Sequence, residues 1–212
     1  MKQVPPNSKL NQLSSFESAV LATGVERLAG VDEVGRGCLA GPVVAACLIL
    51  EQGQPLPAVA DSKQLKPEQR LMLSAEIKQT CLAWAIAEVS PQDIDRMNIH
   101  HASLLAMQRA VEQLSPRPDY LLIDGRFVLD VSITQEAIVR GDATCQVIGA
   151  ASILAKVWRD QLMEAMEQRY PEFGFGQHKG YGTKQHRDEL RRHGPTPLHR
   201  RSFNGVLNSP LF

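Results

Sequence analysis

The stretch that most restricts the fold lies near the front of the chain. LAGVDEV (28–34) and PVVAACLIL (42–50) are apolar, β-branched runs separated only by GRGCLAG (35–41). Each run reads as a strand bounded by turn residues. Parallel neighbours need a crossover of roughly a dozen residues or more, and seven residues cannot supply one. The pair is therefore an antiparallel hairpin, and the chain is committed early to a sheet.

The glycines of the connection invite a different reading, a phosphate loop. A dinucleotide loop needs a helix opening directly after its glycines, because the helix N-terminus holds the pyrophosphate. Here the glycines lead into Pro42 and a β-branched run, which disfavours that reading. A plain tight turn that happens to carry Arg36 remains an alternative.

The rest of the chain alternates helix and strand signals. After a Pro/Asn/Ser-rich start, a short helix is predicted over 15–22, and Pro67 opens a helix through PEQRLMLSAEIKQ. CLAWAIAEVS (81–90) alternates as a third strand, and an amphipathic helix follows over 99–114. DYLLIDG (119–125) and EAIVRGD (136–142) read as fourth and fifth strands, and 146–170 as a long helix. A Gly/aromatic loop, FGFGQHKGYG, leads to a short basic helix stopped by Gly194 and Pro195. This order predicts an α/β fold with a mixed sheet flanked by helices. A chain of 212 residues can bury a substantial core within one domain.

Acids stand at three strand ends: Asp32 and Glu33, Asp124, and Asp142. Clustered carboxylates repel one another unless cations lie between them. Oxygen donors without His or Cys suit magnesium or manganese, and two such ions about 4 Å apart can drive phosphodiester cleavage. Neighbouring strand residues point to opposite faces, so the strand is expected to end or bulge at Asp32–Glu33. For each acid alone, a turn, cap or surface charge is the competing reading; for Asp142, ahead of a helix, capping is a strong rival.

Formal net charge is zero, yet residues 172–201 hold seven lysines and arginines against three acids, with four of the six histidines. Such a basic end suits a phosphate backbone, with a solvated charged face as the alternative. Those histidines are expected to be surface or packing residues. Cys38, Cys47, Cys81 and Cys145 form no CxxC pair and read as small buried hydrophobes of a reducing compartment. The N-terminus lacks an apolar signal core and the run at 42–50 is too short to span a bilayer. The expectation is a cytoplasmic protein with no membrane partner.

DEVGRG (32–37), DSKQL (61–65), LIDG (122–125), GD (141–142), AASILAKVWRD (150–160) and QHKGYGT (177–183) occur in this order. Together, over residues 27 to 203, they closely resemble the type 2 ribonuclease H family, bacterial ribonuclease HII. The resemblance implies an RNase H-like fold: a five-stranded mixed sheet flanked by helices, plus a small C-terminal helical extension. It divides the chain into an N-terminal segment (1–26), a catalytic domain (27–170) and the basic extension (171–212). It implies an endoribonuclease that hydrolyses the RNA strand of RNA/DNA hybrids and incises 5′ of single ribonucleotides in duplex DNA. Products carry 3′-hydroxyl and 5′-phosphate ends.

By the same resemblance Asp32, Glu33, Asp124 and Asp142 hold Mg2+ or Mn2+, two ions per site with substrate bound. Gly35, Arg36 and Gly37 sense the ribose 2′-hydroxyl, and Tyr181 packs against the junction nucleotide; a Tyr covering the core is its alternative. Lys63, Lys156 and Lys179 are expected on the DNA strand's phosphates, with a solvated surface charge as the alternative for each, and Ser152 on a backbone phosphate, with Asp160 pairing Arg159 or Lys156. Arg126 and Arg140 depart from the family, where Asn and Lys are frequent, with an expected effect on substrate grip. The tail SFNGVLNSPLF lacks a sliding-clamp motif, and a monomer is expected.

Overall fold

The computed structural model of the protein describes residues 13–51 and 66–207. The DSKQL segment, with Lys63, and the last five residues of the tail lie outside the described residues. The elements run α1 (Ser15–Leu21), β1 (Leu28–Val34), β2 (Val43–Leu50), α2 (Pro67–Thr80), β3 (Cys81–Val89), α3 (Pro91–Glu112), β4 (Tyr120–Asp124), β5 (Thr134–Ile138), α4 (Gly141–Thr144), α5 (Gln146–Arg169), α6 (Phe175–His178) and α7 (Lys184–His193). The five strands form one sheet in the order β3-β2-β1-β4-β5. β1 pairs antiparallel with β2, as does β2 with β3, whereas β1–β4 and β4–β5 are parallel. The expected mixed sheet and its hairpin are present.

Both faces of the central strands are buried, each by a different helix. Ala29 and Val31 of β1, Ala45 and Cys47 of β2, and Leu121 and Ile123 of β4 share a core with Ala102, Ala106 and Ala110 of α3. Leu28, Ala46, Leu48 and Leu122 on the other face pack with Ile148, Ala151 and Leu154 of α5. Fully burying an aliphatic side chain of this size contributes about 1.5–3 kcal/mol, so the sheet is held from both sides. Gly30 sets how near α5 comes: a Cβ there would lie 2.4 Å from the Val147 carbonyl carbon. A third, smaller cluster joins Leu39, Ala40 and Met163 to Phe173, Phe175, Leu190 and Val206.

The N-terminal helix α1 is anchored to α5. Glu17 is fully buried, and its carboxylate accepts hydrogen bonds from the Val147 amide at 2.8 Å, the Ser14 amide at 2.8 Å and the Ser14 hydroxyl at 2.7 Å. An acid at the start of α5 meets unsatisfied amides and the positive end of the helix dipole.

Two element boundaries differ from the sequence reading. α3 begins at Pro91, eight residues before the predicted start, because Ser90 caps it and Asn98 (φ 67°) joins two helical pieces. The Asn98 carboxamide oxygen accepts from the His100 and His101 amides at 2.9 and 3.2 Å, acting as an internal cap. β5 covers Thr134–Ile138 instead of 136–142, and Asp142 lies in the helical turn α4. A left-handed Arg140 (φ 61°) ends the extended run and caps that turn.

Candidate active site

Strand alternation decides where the acids go. Gly30 and Leu122 face α5, so Asp32 and Asp124, two residues on, face it as well. Val31 is in register with Ile123, which makes Asp32 and Asp124 the next residues on adjacent parallel strands. The sequence required a strand end or bulge to bring Glu33 round. The β1–β2 register runs unbroken to Val34–Val44, so there is no bulge. Instead β1 stops one residue past Glu33, and its pairing with β4 stops at Val31. Glu33 reaches the same opening from the other face of the sheet's end.

Asp32, Glu33, Asp124 and Asp142 border one cavity of about 320 Å³, together with Gly35, Arg36, Gly37, Arg70, Ser152, Lys156 and Tyr181. Asp142 enters from α4, where its amide donates to Asp124 Oδ1 at 3.2 Å. Its residue is inside the turn that Arg140 caps, so it does not play the capping part its position allowed.

Negative charge is crowded here. Burial pushes the Asp32 carboxyl well above its ordinary value, and the charges of Glu33 and Asp124 push it further. The Ser152 hydroxyl, which donates to Asp32, and the Glu33 amide at 2.7 Å work the other way. Burial also raises Glu33, against the opposing effect of Arg36, whose Nη1 lies 3.1 Å from Glu33 Oε1. Among the described residues, no three acid, imidazole or thiol side chains form a ready-made cation cage. The donor set nonetheless fits a hard divalent cation: it is all carboxylate oxygen, and its buried member carries a charge stress that a cation relieves.

The glycine turn beside the acids is built by two buried arginines that the sequence reading did not single out. Arg159 and Arg200 are fully buried. Arg159 donates to the carbonyls of Pro42 (3.1 Å), Lys179 (2.8 Å) and Ala40 (3.0 Å). Arg200 donates to those of Gly41 and Arg36, each at 2.9 Å. Burial, and next among the lowering causes the Arg159 charge, bring Arg200 down to about 10. The signal for Arg159 was helical spacing, since Ile148, Ser152, Ala155 and Arg159 repeat at four, three and four residues along one face of α5. Arg200 and the pocket residue Arg70 had no local signal.

The two glycines of the turn are glycine for different reasons. Gly35 has φ +94°, and a Cβ on it would lie 2.3 Å from Arg159 Nε. At Gly37 a Cβ would meet nothing within 4 Å. Its missing side chain leaves open space on the cavity wall, not room for a neighbour.

Tyr181 stands across the cavity. Its residue forms an isolated antiparallel bridge with Cys38, and the Leu39 amide donates to the Gly180 carbonyl at 2.8 Å, so turn and Tyr181 loop are stitched together. Tyr181 is 41% exposed and borders the cavity. Lys156 Nζ lies 5.7 Å from its ring centre.

The remaining candidates are close by. Lys156 Nζ is 2.7 Å from Asp160 Oδ1, and Arg70 Nη1 is 3.7 Å from Asp160 Oδ2, so of the two partners expected for Asp160 the structure selects Lys156. Lys179 borders an adjoining groove with Arg70 and Asp160 and pairs with Glu164 at 2.7 Å. Arg126 and Arg140 are exposed and are not among the residues bordering the cavity. His178, His186 and His199 are buried packing residues, as expected, and His193 is at the exposed end of α7. No helix among the described residues is long and apolar enough to cross a membrane.

Comparison with known proteins shows the family. The family model described as Ribonuclease HII matches residues 29–206. A ribonuclease HII of Solibacter usitatus is 45% identical over 206 residues, covering 97% of this chain and 90% of that one. One from Vibrio vulnificus is 49% identical over 183 residues, covering 86% and 88%. Among solved structures, the ribonuclease H2 of Pyrococcus horikoshii OT3 superposes with a TM-score of 0.74 at 27% identity, over 85% of this chain and 95% of that one.

Proposed function

Since the chain belongs to the ribonuclease HII family, a family of metal-dependent type 2 ribonucleases H, we propose that it is an endoribonuclease cutting RNA within RNA/DNA hybrids. We infer further that it incises 5′ of single ribonucleotides in duplex DNA and leaves 3′-hydroxyl and 5′-phosphate ends. The observation that carries this is the single cavity bordered by four carboxylates, the Gly35–Gly37 turn and Tyr181.

Asp32, Glu33, Asp124 and Asp142 would hold Mg2+ or Mn2+, two ions with substrate bound, which would supply charge neutralisation at the scissile phosphate and an acidified water. The chain's own groups select and orient the substrate. At Gly37 the open wall lets backbone groups come within hydrogen-bond reach of a 2′-hydroxyl, the group that tells RNA from DNA. Arg36, whose side chain is 47% exposed, swings between Glu33 and a phosphate in planar, two-point contact. Tyr181 lies against the junction nucleotide. Lys156 and Lys179 exchange Asp160 and Glu164 for phosphates. Ser152 holds Asp32 in place, a support for the acid cluster in addition to the phosphate contact expected of it.

The test is a DNA duplex carrying one ribonucleotide, incubated with magnesium or manganese. Incision 5′ of that ribonucleotide, and none in an all-DNA duplex, is expected. Equal cutting of both, or of neither, refutes the proposal.

A further inference from the structure

The loop that carries Tyr181 is flanked by glycines, Gly180 and Gly182, and a glycine-flanked aromatic loses more freedom on ordering than one in a helix or strand. Something has to hold it. Behind it, away from the cavity, lie three imidazoles and two phenyl rings. His178 and His186 stack at 4.3 Å, and Phe173 and Phe175 stack at 5.3 Å beside them.

Hydrogen-bond partners point to one placement of the protons in this cluster, starting from a backbone amide. The Thr196 amide, which can only donate, points at His199 Nδ1 at 3.0 Å. That nitrogen is therefore an acceptor, and the ring's proton is on Nε2. His199 Nε2 faces His186 Nε2 at 3.0 Å, which must then accept. The His186 proton is left on Nδ1, 2.9 Å from the Tyr181 carbonyl, which can only accept. The chain reads Thr196 amide to His199 to His186 to Tyr181, every donor meeting an acceptor and every ring neutral. His178 is arranged likewise: Nδ1 accepts from the Gly180 amide at 3.2 Å, and Nε2 donates to the Phe173 carbonyl at 2.7 Å. Burial, foremost, keeps both His186 and His199 hard to protonate, which agrees with this assignment.

We propose that His199 and His186 are positioning residues for Tyr181: in one tautomer pair they fix its peptide plane and so the placement of its ring at the cavity. The inference rests on Tyr181 contacting the nucleotide, as proposed above. The Tyr181 carbonyl has one other donor, the Thr183 amide at 2.8 Å, two residues along the same loop. Among the described residues, only His186 ties that carbonyl to a separate part of the fold, the turn at Thr196–His199. An aromatic held in advance loses less entropy on meeting its substrate, and small misplacements at a reacting centre are costly.

The test combines kinetics with a direct reading of the protons. His186→Leu should lower kcat/KM on the single-ribonucleotide duplex by about tenfold, the scale of a modest misplacement. The same change made in Tyr181→Ala should have no further effect. His186→Asn, whose amide can still donate from the Nδ1 position, should recover most of the loss. A His186→Leu effect of equal size in both backgrounds overturns the positioning role while leaving that of Tyr181 intact. Wild-type kinetics in Tyr181→Ala overturns the role of Tyr181 and the inference with it. Should His186→Leu not fold, His199→Phe keeps the ring volume, removes the donor to His186 and should show the same background dependence. Independently of activity, nitrogen NMR of the wild-type protein at pH 7 should find His186 protonated at Nδ1 alone and His199 at Nε2 alone. Any other tautomer, or a charged ring, overturns the inference.

Discussion

Gly35 and Gly37 stand two residues apart in one turn, and replacing each by alanine should produce opposite results. At Gly35 (φ +94°) the new Cβ would lie 2.3 Å from Arg159 Nε and 2.8 Å from its Cδ. A non-glycine residue in such a backbone region costs on the order of 1–3 kcal/mol. Arg159 must also move, and its three hydrogen bonds to Pro42, Lys179 and Ala40 are worth about 1 kcal/mol each. Gly35→Ala is therefore expected to cost up to roughly 4–6 kcal/mol, lowering Tm by about 10–20 °C for a domain of this size. At Gly37 no atom lies within 4 Å of the new Cβ, and φ is outside the left-handed region. Alanine there should leave Tm unchanged or raise it slightly, because it restricts the unfolded chain by about 0.4–1 kcal/mol. If the ribose approaches that wall as proposed, the methyl fills its space, so kcat/KM on the ribonucleotide-containing duplex should fall at least about tenfold, equivalent to about 1.4 kcal/mol of transition-state binding. Thermal melts and incision kinetics on the two variants decide the matter. Wild-type cleavage by Gly37→Ala would refute close approach at that wall, and an unshifted melt for Gly35→Ala would refute the packing of Arg159 beneath the turn.

Other variants test the charge and burial arguments. Asp32→Asn should abolish cleavage yet raise Tm in chelator, since it removes a buried charge crowded by Glu33 and Asp124; a lowered Tm in chelator would count against the crowding. Saturating Mg2+ or Mn2+ should stabilise the wild type, by about 2.7 kcal/mol at a hundredfold excess over Kd, and Asp32→Asn much less. Burial, as the leading cause, depresses His186 and His199 from 6.5 to about 4 and about 3. Below pH 6.5 the unfolded chain therefore binds more protons than the folded one, so stability is complete above that pH and falls as acid is added. The raised carboxyls of Asp32 and Glu33 act the other way in the same window, so the comparison is with His199→Phe. Between pH 6.5 and 5 the wild type should lose up to about 1.4 kcal/mol of unfolding free energy per pH unit more than that variant, and parallel profiles would contradict neutral burial. Glu17→Ala, which strips the contacts to Ser14 and Val147, should cost about 2–3 kcal/mol, read as a Tm loss of roughly 5–10 °C.

Most of the fold was legible because its signals are local. β1 was read with its observed limits, and the ends of β2, α2 and α5 fell within about a residue or two, the usual scatter of such boundaries. Misses occurred where a local rule was overridden. The start of α3 was hidden by Asn98, which breaks the helical backbone but supplies its own cap. The end of β5 was hidden by Arg140, whose left-handed backbone no side-chain pattern announces. At Asp32–Glu33, where the strand was expected to end or bulge, it ends: pairing with β4 stops at Val31 and β1 itself at Val34, with no bulge.

For the site, the sequence by itself determined the candidate groups: Asp32, Glu33 and Asp124 at strand ends, Asp142 after Gly141, a glycine turn between β1 and β2, and a glycine-flanked tyrosine in a basic segment. Alternation along a strand even settles which face Asp32 and Asp124 share. Tertiary structure alone decided that these parts border one cavity, that Gly35 makes room for Arg159 while Gly37 faces open space, and that Arg159, Arg200, His186 and His199 lie inside. The physical reason is range. Strand and helix periodicities arise from neighbours along the chain and are written in it. The polarity of a buried arginine or imidazole becomes tolerable only when distant carbonyls come within hydrogen-bond reach, and only the folded chain brings Pro42, Ala40 and Lys179 to one guanidinium.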